Sequence, residues 1–128
     1  MKLQVSVEFI FFVSFLLVVL LFVIIGNYSF YKRANELRIE NSARKLCDKI
    51  ASEINLAIKL GDGYRRKFFV DYSFEGITSF NISVSDYLVS VEWYGGRVTS
   101  SILTQNISGE VKKGWNIIEN NKGEIYVE

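Results

Sequence analysis

The chain reads as an α+β protein, with a long N-terminal helix, transmembrane and then amphipathic, packed against a C-terminal antiparallel β-sheet domain. Three observations predict it. Residues 9–25 are seventeen consecutive residues without a charge. Ile39, Ala43, Leu46, Ile50, Ile54 and Ala57 then recur at spacings of three and four, the period of a helix with one apolar face. From Phe68 onward, apolar and polar residues alternate in short runs separated by Gly, Asn and Asp, as in half-buried strands.

As a helix rising about 1.5 Å per residue, residues 5–25 are roughly long enough to cross a ~30 Å hydrocarbon core. The chain has no proline, so this segment has no built-in break. A removable secretory signal would end a shorter apolar region in a small-x-small site, whereas this run ends in Ile25-Gly26-Asn27. The competing reading is a core helix of a soluble protein. A chain of 128 residues has too little other core to wrap such a helix on every side.

The amphipathic part follows without a linker. Cys47, Ala51 and Ile58 widen its stripe, and Glu40–Arg44 and Lys49–Glu53 are i,i+4 pairs of opposite sign. Gly61-Asp62-Gly63 supplies the stop, giving one helix from about residue 5 to about residue 60. The exposed stripe needs a cover, and the rest of the chain can provide one. Residues 68–74, 80–85, 87–94 and 97–104 read as strands, with Gly95-Gly96 as a two-residue hairpin turn. Residues 115–118 and 124–127 form a last hairpin around Asn121-Lys122-Gly123, for five or six antiparallel strands in all. The organisation is therefore residues 4–26 as transmembrane helix, 27–60 as its amphipathic continuation and 64–128 as a β-rich domain.

Composition excludes several classes. Residues 27–60 carry seven Lys/Arg against four Asp/Glu (+3), and residues 61–128 carry seven against nine (−2), which is not the basic face of a nucleic-acid binder. There is no histidine, so Ser-His-Asp and Cys-His sets cannot form. Asp71, Glu75, Asp86 and Glu92 have no spacing that directs them to a shared site, and no Gly-rich phosphate cradle follows a strand. We therefore expect no enzyme, catalytic residue, cofactor, metal or small-molecule substrate. One cysteine, Cys47, allows no intrachain disulfide and fits a packed small hydrophobe better than an intermolecular bridge. The cluster Arg65-Arg66-Lys67 reads as a solvated strand start or a contact with an acidic neighbour. Phe68, Phe69, Tyr72, Phe74, Trp93, Tyr94 and Trp115 read mostly as core.

Glu8 is the residue that composition alone does not explain. A carboxylate within a bilayer costs on the order of 2.5–3.5 kcal/mol even on lenient scales. Either it lies near the interface at the helix start, where the helix dipole favours negative charge, or it awaits a cation within the membrane plane.

Gln4-Val5-Ser6-Val7-Glu8 ahead of an apolar run resembles the Gln-x-Ser-x-Glu signature of archaeal class III signal peptide proteins, a type IV pilin-like family. The resemblance implies a pilin-like fold and a residue 1–3 leader removed by a prepilin peptidase between Leu3 and Gln4. It further implies that Gln4 bears the new amine, that Glu8 accepts it in an adjacent like subunit, and that Ser6 fills the remaining fixed position. The helices would then bundle into a filament, with the C-terminal domains outside. The family usually has Gly just before the cut; this chain has Leu3 after Lys2. Leu3 favours a second class of reading, a membrane-anchored binding or adhesion module that never polymerises.

Lys2 favours a cytoplasmic N-terminus, but Lys32, Arg33 and Arg38 lie beyond the other end of the apolar run. Candidate glycosylation acceptors at Asn81 and Asn106, and a less reachable one at Asn27, favour a C-terminal domain outside the cell. The expected location is the cell membrane in a single pass, or an extracellular filament after processing, with lipid, the peptidase and like subunits as partners.

Overall fold

The computed structural model describes residues 2–128; Met1 and the side chains of Lys2 and Leu3 lie outside the described residues, and with them the leader and the Leu3 side of the expected cut. Two compact units divide the chain, Met1–Leu37 and Arg38–Glu128. One helix, α1 (Lys2–Leu60), carries residues of both. It ends where expected, because Gly61 takes a φ of 84° and donates its N–H to the Ala57 carbonyl at 3.3 Å, a left-handed cap that glycine adopts without steric cost.

Residues 38–60 of α1 bury the stripe read from the sequence. Ala43, Leu46, Cys47, Ile50, Ala51, Ile54 and Ala57 are buried, with Ile39 and Ile58 half-buried at the margins. The fold is α+β: this stretch packs against antiparallel-rich sheets through one continuous core.

Among the described residues, seven strands form two sheets rather than the single layer of five or six expected. The strands β1 (Arg65–Val70), β6 (Gly114–Asn121), β7 (Glu124–Val127) and β5 (Ile107–Gly109) make one sheet in the order β1-β6-β7-β5. The other sheet is β2 (Phe80–Ser85), β3 (Leu88–Trp93) and β4 (Gly96–Ser101). All neighbours are antiparallel except β5 and β7, which run parallel. Val70, Ile118, Ile125, Val89 and Val91 meet the helix stripe, all fully buried.

Several local expectations shift for physical reasons. The β3–β4 turn is Tyr94-Gly95, with Gly96 already paired to Trp93. A Cβ on Gly96 would lie 2.5 Å from the Trp93 ring, so the indole occupies the place of a side chain there. The run 68–74 is strand only to Val70, and Phe74 instead closes a small bridge with Ile77. Lys49–Glu53 does not form: Lys49 turns to Asp71 at 3.8 Å and Glu53 to Arg66 at 3.5 Å, while Glu40–Arg44 forms at 3.3 Å. Of the aromatic set, Phe68 and Phe74 are buried and Phe69 and Trp93 half-buried, but Tyr72, Tyr94 and Trp115 are exposed. Trp115 stands on the outer face of β6 opposite Phe69, ring centroids 5.2 Å apart.

Candidate functional site

The candidate site is the helix surface of residues 4–25. In a helix every backbone N–H and C=O past the first turn is paired within the segment, the arrangement a hydrocarbon environment requires. Two polar side chains within or bordering the run follow the same rule. The Ser14 hydroxyl donates to the Ile10 carbonyl at 2.8 Å, and the Asn27 amide donates to the Val23 carbonyl at 2.9 Å.

Apart from Ser6, Glu8 and Ser14, residues 5–25 are all large and apolar, and all are exposed, from Val13 at 37% to Phe11 at 77%. The most apolar eighteen-residue window of α1 has a mean hydropathy of 3.2, with none of it buried by the rest of the chain. Among the described residues there is therefore one N-terminal helix long and apolar enough to cross a membrane. This run is exposed throughout among those residues. On insertion scales of about −0.3 to −0.6 kcal/mol per central Leu, Ile, Phe or Val, eighteen such side chains favour insertion by roughly 5–10 kcal/mol. That exceeds the ~2.5–3.5 kcal/mol set against it by one carboxylate.

Gln4 and Glu8 lie one helical turn apart on the same side of α1, both exposed. Ser6, two residues from each, falls on a different side. Glu8 borders a shallow groove whose other walls are Val7, Phe11, Phe12 and Phe15. Among the described residues Glu8 has no ion-pair partner. A carboxylate at the edge of an aromatic groove is a group whose cost changes sharply with what is brought beside it.

We compared the chain with known proteins. No family model, curated protein or solved structure matches it.

The three glycosylation candidates sit in different settings. Asn27 is helical and its amide is engaged with Val23. Asn81 is exposed on β2, and Ser83, the third residue of its triplet, is also exposed. Asn106 is exposed just before β5, but the hydroxyl of its triplet partner Ser108 donates to Glu124 at 2.6 Å.

The four carboxylates weighed for chemistry are dispersed. Asp71 pairs with Lys49, and Glu92 with Arg97 at 3.0 Å. Glu75 accepts from Arg38 at 2.8 Å and from the Ser42 hydroxyl at 3.1 Å, while Asp86 lies in the β2–β3 turn. No cluster of three or more metal-ligating side chains occurs among the described residues. Cys47 is fully buried, and its thiol donates to the Val89 carbonyl at 3.1 Å. Burial pushes its pKa up, against the lowering effect of hydrogen bonding to Ser100. Arg66 of the basic cluster meets an acidic neighbour in Glu53, and Arg65 meets Glu119 at 3.8 Å.

Proposed function

We propose that the chain is a structural subunit of an archaeal type IV pilus-like surface filament, assembled through its N-terminal hydrophobic helix. One observation carries the reading: Gln4-Val5-Ser6-Val7-Glu8 heads a helix whose apolar surface over residues 5–25 is exposed among the described residues. The α+β architecture, a long helix with a β-rich partner, agrees in type.

A prepilin peptidase would cut between Leu3 and Gln4, leaving the Gln4 amine at the head of the helix. Glu8 is four residues on, about 6 Å along the axis. A like subunit displaced by about that distance would set its amine against this carboxylate. Lipid tails are as apolar as a neighbouring helix, so burial of apolar surface alone gives little reason for two such helices to choose a register. Neutralising a carboxylate in the membrane plane supplies that reason, since it removes a penalty of about 2.5–3.5 kcal/mol only when the stagger is right. In this mechanism Glu8 sets register, residues 5–25 supply lateral packing, and residues 61–128 set the properties of the filament surface. Partners are lipid before assembly, the peptidase, and like subunits after it; no catalytic step is assigned to any residue. The N-terminus would be cytoplasmic and the β-rich domain outside.

Leu3, where the family has Gly, favours a second reading in which the helix only tethers a binding or adhesion module. Glu8→Gln separates the two in the native host. A filament subunit keeps inserting but stops assembling, and a tether keeps its surface level and its function.

A further inference from the structure

Immediately beyond the apolar run, α1 carries Tyr28, Phe30, Tyr31, Lys32 and Arg33 in six residues. We infer that these five side chains form a belt that holds the helix at the headgroup layer of an anionic bilayer, Lys32 and Arg33 binding lipid phosphate. The inference rests on reading residues 5–25 as membrane-spanning, and it names the lipid class that this segment recognises.

The geometry points to a lipid surface rather than a docked protein. At 3.6 residues per turn, taking Tyr28 as zero, the five side chains fall at about 0°, 40°, 140°, 200° and 300° around the axis. Aromatic or cationic groups thus encircle the helix, as an isotropic interface requires; a protein partner would need them on one side. The three rings are 71–73% exposed, and Phe30 and Tyr31 meet edge to face at 6.4 Å. Among the described residues neither Lys32 nor Arg33 is in an ion pair, even though Glu36 is one turn away. Below the belt the last polar side chain, Asn27, is already satisfied by Val23. Tyrosines prefer the layer where a ring can stay apolar and its hydroxyl wet, and long basic side chains reach outward from it.

The test uses the full chain in vesicles of phosphatidylcholine, alone or mixed with phosphatidylglycerol. Nitroxide probes are placed singly through Phe22→Cys, Ser29→Cys and Asn35→Cys, since buried Cys47 escapes labelling. Depth is read from collisions with oxygen and with a water-soluble nickel chelate. Position 22 should lie in hydrocarbon, 29 at the headgroups and 35 in water. Native mass spectrometry of chain released from the mixed vesicles should show phosphatidylglycerol retained several-fold over phosphatidylcholine. Lys32→Gln with Arg33→Gln should abolish that preference, and Lys45→Gln with Lys59→Gln should preserve it. If 22 is in hydrocarbon but the preference is absent, or survives loss of Lys32 and Arg33, the inference is overturned and the spanning reading stands. Position 22 in water would overturn both.

Discussion

The side-chain amide of Asn120 donates to the Ala57 carbonyl at 2.9 Å, and its Oδ1 accepts the Gly123 N–H at 2.9 Å. One buried residue of β6 thereby closes the last turn of α1 and shapes the β6–β7 turn. Both groups it satisfies are backbone groups, and each would carry a desolvation cost if left alone.

Asn120→Ala should therefore destabilise the fold by about 1 kcal/mol, since it removes the partner of the Gly123 N–H and one of two donors to the Ala57 carbonyl, which Gly61 still serves. For a unit of this size that is a fall in Tm of roughly 4–8 °C, measurable by circular dichroism of the chain in detergent. A change below about 2 °C would mean that water replaces the amide fully.

Ile54 is fully buried at the centre of the stripe, against the sheets. Ile54→Ala should cost about 2–5 kcal/mol, whereas Leu17→Ala, in the exposed apolar run, should leave the thermal unfolding of residues 38–128 unchanged. Equal effects at the two positions would contradict the separation of a folded core from an exposed apolar run.

Cys47 should resist thiol reagents at neutral pH and react promptly in denaturant. Its folded pKa is raised above the unfolded value, mainly by burial. The stability linked to it is thus complete below the unfolded pKa and is lost as pH rises through the folded one. Labelling rates with and without urea, compared at neutral and alkaline pH, check the direction.

Glu124 is held below its ordinary pKa first by the Ser108 hydroxyl and then by the Tyr126 hydroxyl, which donate at 2.6 and 2.7 Å. Its contribution is complete above the unfolded carboxylate pKa and is lost as pH falls through the lower folded value. Tyr126→Phe should move the Glu124 midpoint upward in an NMR titration and slightly lower stability at neutral pH, where the ionised carboxylate accepts that bond. No movement would show that Ser108 alone sets the value.

Much of this architecture was legible because helical period and strand alternation are strong signals. The stripe from Ala43 to Ala57 and the strand Phe80–Ser85 follow directly from them. Other features had no such signal. The β2–β3 turn places Asp86 and Tyr87 at φ of 52° and 62°, and a tyrosine there does not announce a turn as glycine would. Its cost is met by tertiary structure, since the Tyr87 carbonyl accepts from Ile102 at 2.9 Å. The strand β5 has three residues and pairs in parallel with β7, too short for alternation to reveal. Division into two sheets depends on long-range pairing that local pattern does not encode. In the site, Gln4 and Glu8 were visible as a motif. Tyr28, Phe30, Tyr31, Lys32 and Arg33 match no motif, and their spread around a full turn follows from the helix continuing past residue 33.

The most direct measurement is the mass of the N-terminal peptide of this chain in sheared surface filaments from the native host, alongside electron microscopy of the same material. A filament subunit predicts filaments containing the chain, with a peptide that begins at Gln4. Filaments lacking the chain, or a membrane pool that retains Met1 throughout, would contradict it.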